Sequence, residues 1–117
     1  MKLRAIRGAI QVGANTPEEI ESGVKELLPA ILQANGLTTD EVISVLLTCT
    51  KDLNAAFPAA FAREIGFGAV PLLCAVEMDV PGAMPLVIRV MLHAELPDAA
   101  NHVYLRGAAA LRRDLAQ

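Results

Sequence analysis

The chain has 117 residues and a formal net charge of −3, long enough for one core and too short for two, with no basic surplus to favour nucleic acid or anionic lipid. Hydrophobic residues make up 54% of it, yet there are only one Tyr, three Phe and no Trp. The core must therefore be aliphatic, and so small a chain cannot easily hide that much apolar surface, which favours an oligomer.

No run reaches the ~18 apolar residues of a membrane span. The cations Lys2, Arg4 and Arg7 have no long apolar segment behind them of the kind a signal peptide needs. A single domain over residues 1–117, soluble and cytoplasmic, is the expectation. Cys49 and Cys74 sit in apolar strands, where free thiols are common, and suggest neither a disulfide framework nor a metal site. His93 and His102 are isolated and lack the spacing of metal ligands.

Leu3 to Val12 alternates as a first strand. Leu3, Ala5, Arg7, Ala9 and Gln11 lie on one face, with Arg4, Ile6, Gly8, Ile10 and Val12 on the other. The small residues Ala5, Gly8 and Ala9 leave space around the Arg7 head group, as a ligand approaching the sheet would need, although small residues also occur where a helix packs closely. Thr16-Pro17-Glu18-Glu19 is a helix start, with Thr16 as N-cap, Pro17 at the first position and Glu19 reaching back in a capping box. Ile20, Val24, Leu27, Leu28, Ile31 and Leu32 then form one apolar stripe to lie on the sheet. Pro29 is expected to kink or interrupt that helix, and Asn35-Gly36 to stop it.

Val42 to Thr50 reads as a second strand, apolar on both faces and so central in the sheet. Asn54 to Gly66 reads as a loop and short helix, with Pro58 near its start and Gly66 beyond its end. A third strand spans Val70 to about Val76 and ends in Glu77-Met78-Asp79, and Val80-Pro81-Gly82 reads as a turn.

Leu86-Val87-Ile88-Arg89-Val90-Met91-Leu92-His93 is apolar on both faces except for one guanidinium, a pattern normally covered on both sides. Period two places Val87, Arg89, Met91 and His93 together. Arg89 is expected in a dry setting, and since arginine keeps its proton it must meet a carboxylate of the chain or an anionic ligand. After a Pro97-Asp98 break, His102 to Leu105 forms a short strand, and Leu111 to Leu115 a turn of helix. The total is an α/β or α+β domain: a mixed sheet of about five strands with two main helices on one face. The other face would be bare in a monomer, so neighbouring subunits are its natural cover.

Nothing resembles a nucleophile–base pair, a phosphate loop, a dinucleotide fingerprint or a metal cluster. The polar groups in apolar or loop-edge contexts are Arg7, Arg63, Glu77, Arg89, Tyr104 and Arg112. Several cations and one acid suit a small dianion bearing a hydroxyl, held and polarised without a covalent or proton-shuttling route.

Five motifs in order span nearly the whole chain. They are Arg4-x-Ile6-Arg7-Gly8-Ala9; Asp52-Leu53 with Phe57-Pro58-Ala59 and Arg63; Pro71-x-x-Cys74-x-x-Glu77-Met78-x-Val80; Ile88-Arg89-Val90; and His102-Val103-Tyr104-Leu105. Together they resemble the AroH-type chorismate mutases. The resemblance implies a homotrimer shaped as a pseudo-α/β-barrel, with active sites in clefts between subunits. It also implies the rearrangement of chorismate to prephenate for phenylalanine and tyrosine synthesis, a unimolecular pericyclic step that uses no cofactor and no metal.

By resemblance Arg89 donates to the ether oxygen, Arg7 and Tyr104 bind carboxylate, and Glu77 and Cys74 address the side of the ring hydroxyl. Phe57, Ala59, Leu72, Leu73 and Leu111 would wall the pocket, with Arg63 and Arg112 at its mouth. Counting by twos sets Cys74 and Glu77 on opposite faces, so the chain must bend or leave the strand between them. Ala60 and Leu73 depart from the family pattern of a lysine and a threonine, which puts substrate affinity more in question than activity. Rival readings on similar folds are a non-catalytic trimeric ligand-binding module and an imine hydrolase of the YjgF/RidA type, because function lives in the site and not in the fold.

Overall fold

The computed structural model describes residues 1–111. Arg112 lies outside them, as does most of the turn expected over 111–115. Five strands, β1 (Lys2–Gln11), β2 (Val42–Cys49), β3 (Leu72–Val76), β4 (Val87–Leu96) and β5 (Val103–Leu105), form one sheet in the order β3-β2-β4-β1-β5. β4 runs antiparallel to both β1 and β2, while β5 lies parallel to β1 and β3 parallel to β2. β1 and β2 are therefore parallel to each other but not adjacent, with the arginine strand between them.

The long helix α1 (Pro17–Ala34) covers one face. Its apolar stripe buries Ile20, Val24, Leu27, Leu28 and Ile31 against Ile6, Ile10, Ile88, Val90 and Leu92 of the sheet, the aliphatic core the composition requires. Thr16 Oγ1 accepts from the Glu19 N–H at 3.1 Å, as expected of an N-cap. Two details differ from the sequence expectation. The Glu19 carboxylate accepts from Gly13 N–H at 2.7 Å instead of closing a capping box on Thr16, which anchors the incoming loop. Pro29 does not end the helix, which runs unbroken to Ala34, because Pro29 lies on the exposed side away from the sheet. Gly36, at φ +62°, supplies the left-handed stop, with Leu37 N–H donating to Leu32 O at 2.9 Å.

Gly8 shows why the first strand needs small residues. A Cβ there would come within 2.6 Å of Ile31 Cδ1 and 3.1 Å of the Val103 carbonyl, so its missing side chain makes room for α1 and not for a ligand. The short helix α2 (Pro58–Ala62) runs into a widened turn, Arg63–Phe67, that Gly66 closes at φ +105°. β3 begins at Leu72, two residues later than expected, and β4 extends three residues past His93. Arg106–Ala110 forms a 3-10 turn after β5 that the sequence did not suggest.

The expectation that β2 and β4 are covered on both faces is not met within one chain. Along β4 the buried residues alternate with half-exposed Arg89 and His93 and exposed Met91 and Glu95. Among the described residues only one end of the second face is covered, where Val87, Ala9 and Tyr104 pack on Ala108 of the 3-10 turn, with Met84 and Leu111 at the edge. The rest lies open.

Candidate active site

The register of the sheet assembles the open face in rows. Thr48 of β2 stands opposite Arg89 of β4, Arg89 opposite Ala9 of β1, and Ala9 opposite Tyr104 of β5. The next row runs Leu73, Leu46, Met91, Arg7. Because facing residues of paired strands project the same way, at roughly 5 Å between Cβ atoms of antiparallel partners, these two rows place Arg7, Arg89 and Tyr104 around one hollow. The cavity has a volume of about 250 Å³ and is lined by Thr48, Leu46 and Met91 as well as by those three polar groups.

Arg89 meets an acid of its own chain and still opens on this cavity. Its Nε–H donates to Glu77 Oε1 at 3.0 Å. Glu77 Oε2 in turn accepts from the Thr48 hydroxyl at 3.0 Å. Glu77 reaches this face by the alternation that also puts Ala75 opposite Thr48, and just past the end of β3 its N–H donates to Cys49 O at 2.9 Å. The sequence expectation of a dry Arg89 is corrected: the arginine side chain is 41% exposed in the single chain, whereas that of Glu77 is 17% exposed. Dryness would have to come from something laid over the open face.

The start of β4 is held separately. Leu86 sits at φ +57°, a conformation that costs a non-glycine residue roughly 1–2 kcal/mol. Both Asp52 oxygens accept its N–H, at 3.0 and 3.2 Å. Thr50 Oγ1 donates to Asp52 Oδ1 and accepts from the Val87 N–H at 3.0 Å. Arg7 also has a backbone anchor, since its N–H donates to His102 Nδ1 at 2.9 Å, which requires that nitrogen to be unprotonated.

Other residues expected at the site lie elsewhere in the protomer. Cys74 pairs with Leu47 and points to the helix-covered face, opposite Glu77. It lines a second, apolar hollow of about 300 Å³ with Cys49, Leu53, Phe57 and Pro58. Phe57 is 75% exposed there, while Ala59 is buried in the aliphatic core. Burial pushes the Cys49 thiol up to about 12, with Cys74, Glu77 and Asp52 adding to the rise. Arg63 is exposed at the end of α2. Leu72 packs towards the core and Leu73 is exposed on the open face, both beside a third hollow with His93 and Pro71. Leu111 does approach Tyr104.

One chain thus unites Arg7, Glu77, Arg89 and Tyr104, and leaves Cys74, Phe57, Ala59 and Arg63 apart from them. Sequence reasoning missed Thr48, Asp52 as an anchor of β4, and His102 as an anchor of Arg7. Period two does put Thr48 on the face of Leu46, but only the strand order brings it beside Arg89.

The sequence pattern of the family described as Chorismate mutase type I matches residues 3–115. The chain belongs to the type I chorismate mutases. Two curated relatives, both named chorismate mutase AroH, agree over nearly the full length. The one from Thermus thermophilus is 50% identical over 97% of this chain and 96% of its own. The one from Bacillus subtilis (strain 168) is 43% identical over 98% and 94%. A solved chorismate mutase from Clostridium thermocellum superposes with a TM-score of 0.89 at 44% identity, covering 92% of this chain and 98% of that one. The mixed five-stranded sheet with its two helices is thus the fold of a chorismate mutase.

Proposed function

We propose that this protein converts chorismate to prephenate, the reaction of its family, with Arg89 as the group that stabilises the breaking ether oxygen. The observation that carries this is a fixed cation, aimed by Glu77 and Thr48, opening on a small cavity that also holds Arg7 and Tyr104. In a Claisen rearrangement the C–O bond breaks ahead of the new C–C bond, so negative charge grows on the ether oxygen and then subsides. A preorganised donor at that point is worth ~3–4 kcal/mol, since it stabilises the transition state more than the substrate. The substrate supplies every reacting atom. What the protein contributes is confinement of the compact conformer and an electrostatic partner for the oxygen.

Arg7 and Tyr104 suit the carboxylates, because the cross-strand rows place them beside Arg89 on the same face. Glu77, whose oxygens accept from Arg89 and Thr48, lies at the side where the ring hydroxyl would fall. The remaining expected residues fit a site completed by another copy. Phe57 is an uncovered aromatic ring, Leu73 and Met91 are exposed on the sheet, and a half-exposed Arg89 would gain strength if a neighbour excluded water. A homotrimer whose open sheet faces meet, with Phe57 and Arg63 contributed across the seam, Cys74 at its edge and the buried Ala59 supporting the helix behind Phe57, accounts for these exposures together. Leu72 and Leu111 would complete the apolar wall and Arg112 its mouth. Such a protein is cytoplasmic in this reading, where chorismate is made and used.

The test is chorismate depletion by the purified protein, with Arg89→Lys beside it. The parent turns over without added metal or cofactor, and Arg89→Lys loses at least ~100-fold in kcat, since an ammonium cannot donate to Glu77 and the ether oxygen from one planar fork. Equal rates would remove Arg89 from the mechanism, and no depletion by the parent would remove the activity.

A further inference from the structure

The cluster around Arg89 contains a residue whose own contribution to the rearrangement follows from which atoms it touches. Glu77 arrives from beyond the end of β3, and its backbone is tied to Cys49 O at 2.9 Å. Its carboxylate could grip the guanidinium side-on with both oxygens, the arrangement such pairs commonly adopt because two parallel N–H···O bonds form at once. It does not do so here. Oε1 accepts from Arg89 Nε at 3.0 Å while Oε2 is turned to the Thr48 hydroxyl at 3.0 Å. Thr48 stands directly opposite Arg89 on the neighbouring antiparallel strand and lines the same cavity, so its hydroxyl lies where it can compete with the guanidinium for that oxygen.

We infer that Thr48 is a positioning residue of the rearrangement, its hydroxyl engaging one oxygen of Glu77 so that the carboxylate holds Arg89 through Nε and leaves the outer N–H groups to the substrate. The inference rests on the reading that Arg89 serves the ether oxygen. With the hydroxyl gone, the freed oxygen turns to a second guanidinium N–H and withdraws it from the substrate. Thr48 touches the reaction only through Glu77 and Arg89. Its loss therefore falls on the step in which charge develops, and carboxylate binding by Arg7 and Tyr104 is spared.

Steady-state assays of Thr48→Val and Thr48→Ser decide the matter. Thr48→Val, which keeps the shape and removes the hydroxyl, loses at least ~10-fold in kcat with KM within about twofold. Thr48→Ser, which restores the donor, stays within about twofold of the parent. Added to Glu77→Ala, Thr48→Val changes kcat by less than about twofold, since no carboxylate remains to be aimed.

Parental kcat in Thr48→Val overturns the inference, as does a loss confined to KM. So does Thr48→Ser as impaired as Thr48→Val, or a full further loss in the Glu77→Ala background. Should Thr48→Val fail to fold, Thr48→Ala carries the same expectations, with thermal melting as the check. Arg89→Lys and Glu77→Ala measured alongside separate the two levels of the argument. If both retain parental kcat, the reading of the site fails and the role of Thr48 with it. If both lose activity while Thr48→Val does not, only the role of Thr48 fails.

Discussion

The two faces of the sheet are built from alternate residues of the same strands, yet they answer to different physical demands. On the helix-covered face Ile6, Ile10, Ile88, Val90 and Leu92 interlock with α1, and Gly8 is small because Ile31 needs its space. Shape decides there. On the open face Arg7, Thr48, Arg89, Met91 and Tyr104 surround a cavity, and the two arginines are half-exposed. Hydrogen-bond direction and charge decide there. β4 shows the contrast in one step of one residue: Ile88 is fully buried and Arg89 beside it opens on the cavity.

The largest effect expected from breaking this contrast is on assembly. Met91→Asp places a carboxylate in the middle of the open face, 37% exposed in the protomer. If that face is the seam between copies, burying the new charge is strongly unfavourable. Light scattering then shows the trimer giving way to smaller species. A variant that assembles as the parent does would show that the seam lies elsewhere.

A smaller loss is expected where the two faces are joined, at the start of β4. Asp52→Ala removes the acceptor that holds the Leu86 N–H, and bonds to a charged group contribute roughly 1.5–3 kcal/mol. Chemical denaturation should show a loss of that order. Leu86→Gly in the same background should recover part of it by relieving the positive φ. No recovery would mean that Asp52 acts on something other than the backbone at Leu86.

The smallest effect sharpens the comparison from the packed side. Ile88→Val removes one methylene from the core, at roughly 0.5–1.5 kcal/mol of stability. kcat should stay within about twofold of the parent, because the side chain points away from the cavity. A tenfold fall in kcat would show that the two faces are not separable and that core packing tunes the position of Arg89.

The ends of α1 were legible because their cause is local, although Glu19 took Gly13 in place of the capping box expected of it. Thr16 and Pro17 start α1 and Asn35-Gly36 stops it, since capping depends on a handful of neighbouring residues. The alternation grouped Arg7 with Ala9 and Arg89 with Met91, each within its own strand, since period two is a property of the strand itself; only the register of β1 on β4 sets the two groups on one face. Of the two outcomes expected of Pro29, an end to the helix did not occur, because packing of the residues on both sides of the proline carries α1 through to Ala34. The partner of Arg89 was legible only as a requirement for an acid. Which acid depends on β3 lying beside β2 and β2 beside β4, which are outcomes of strand order. Thr48 and His102 escaped notice for the same reason: each bonds a residue far along the chain, Glu77 at a separation of 29 positions and Arg7 at 95. Cys74 was grouped with Glu77 by resemblance, whereas within one chain the period-two count prevailed and left them on opposite sides.

The strand order also governs how this molecule can come into being. β1 and β2 emerge first from the ribosome, yet each must wait for β4 to fill the gap between them. Until residue 96 has been synthesised, the early half of the sheet has two vacant edges facing one missing partner, and most of its ladder contacts span long stretches of sequence. The keystone that ends this wait is the same segment that bears Arg89. A chain that stops short of β4 has neither Arg89 nor the strand that joins β1 to β2, so the cation proposed to serve the ether oxygen takes its place only as the sheet closes.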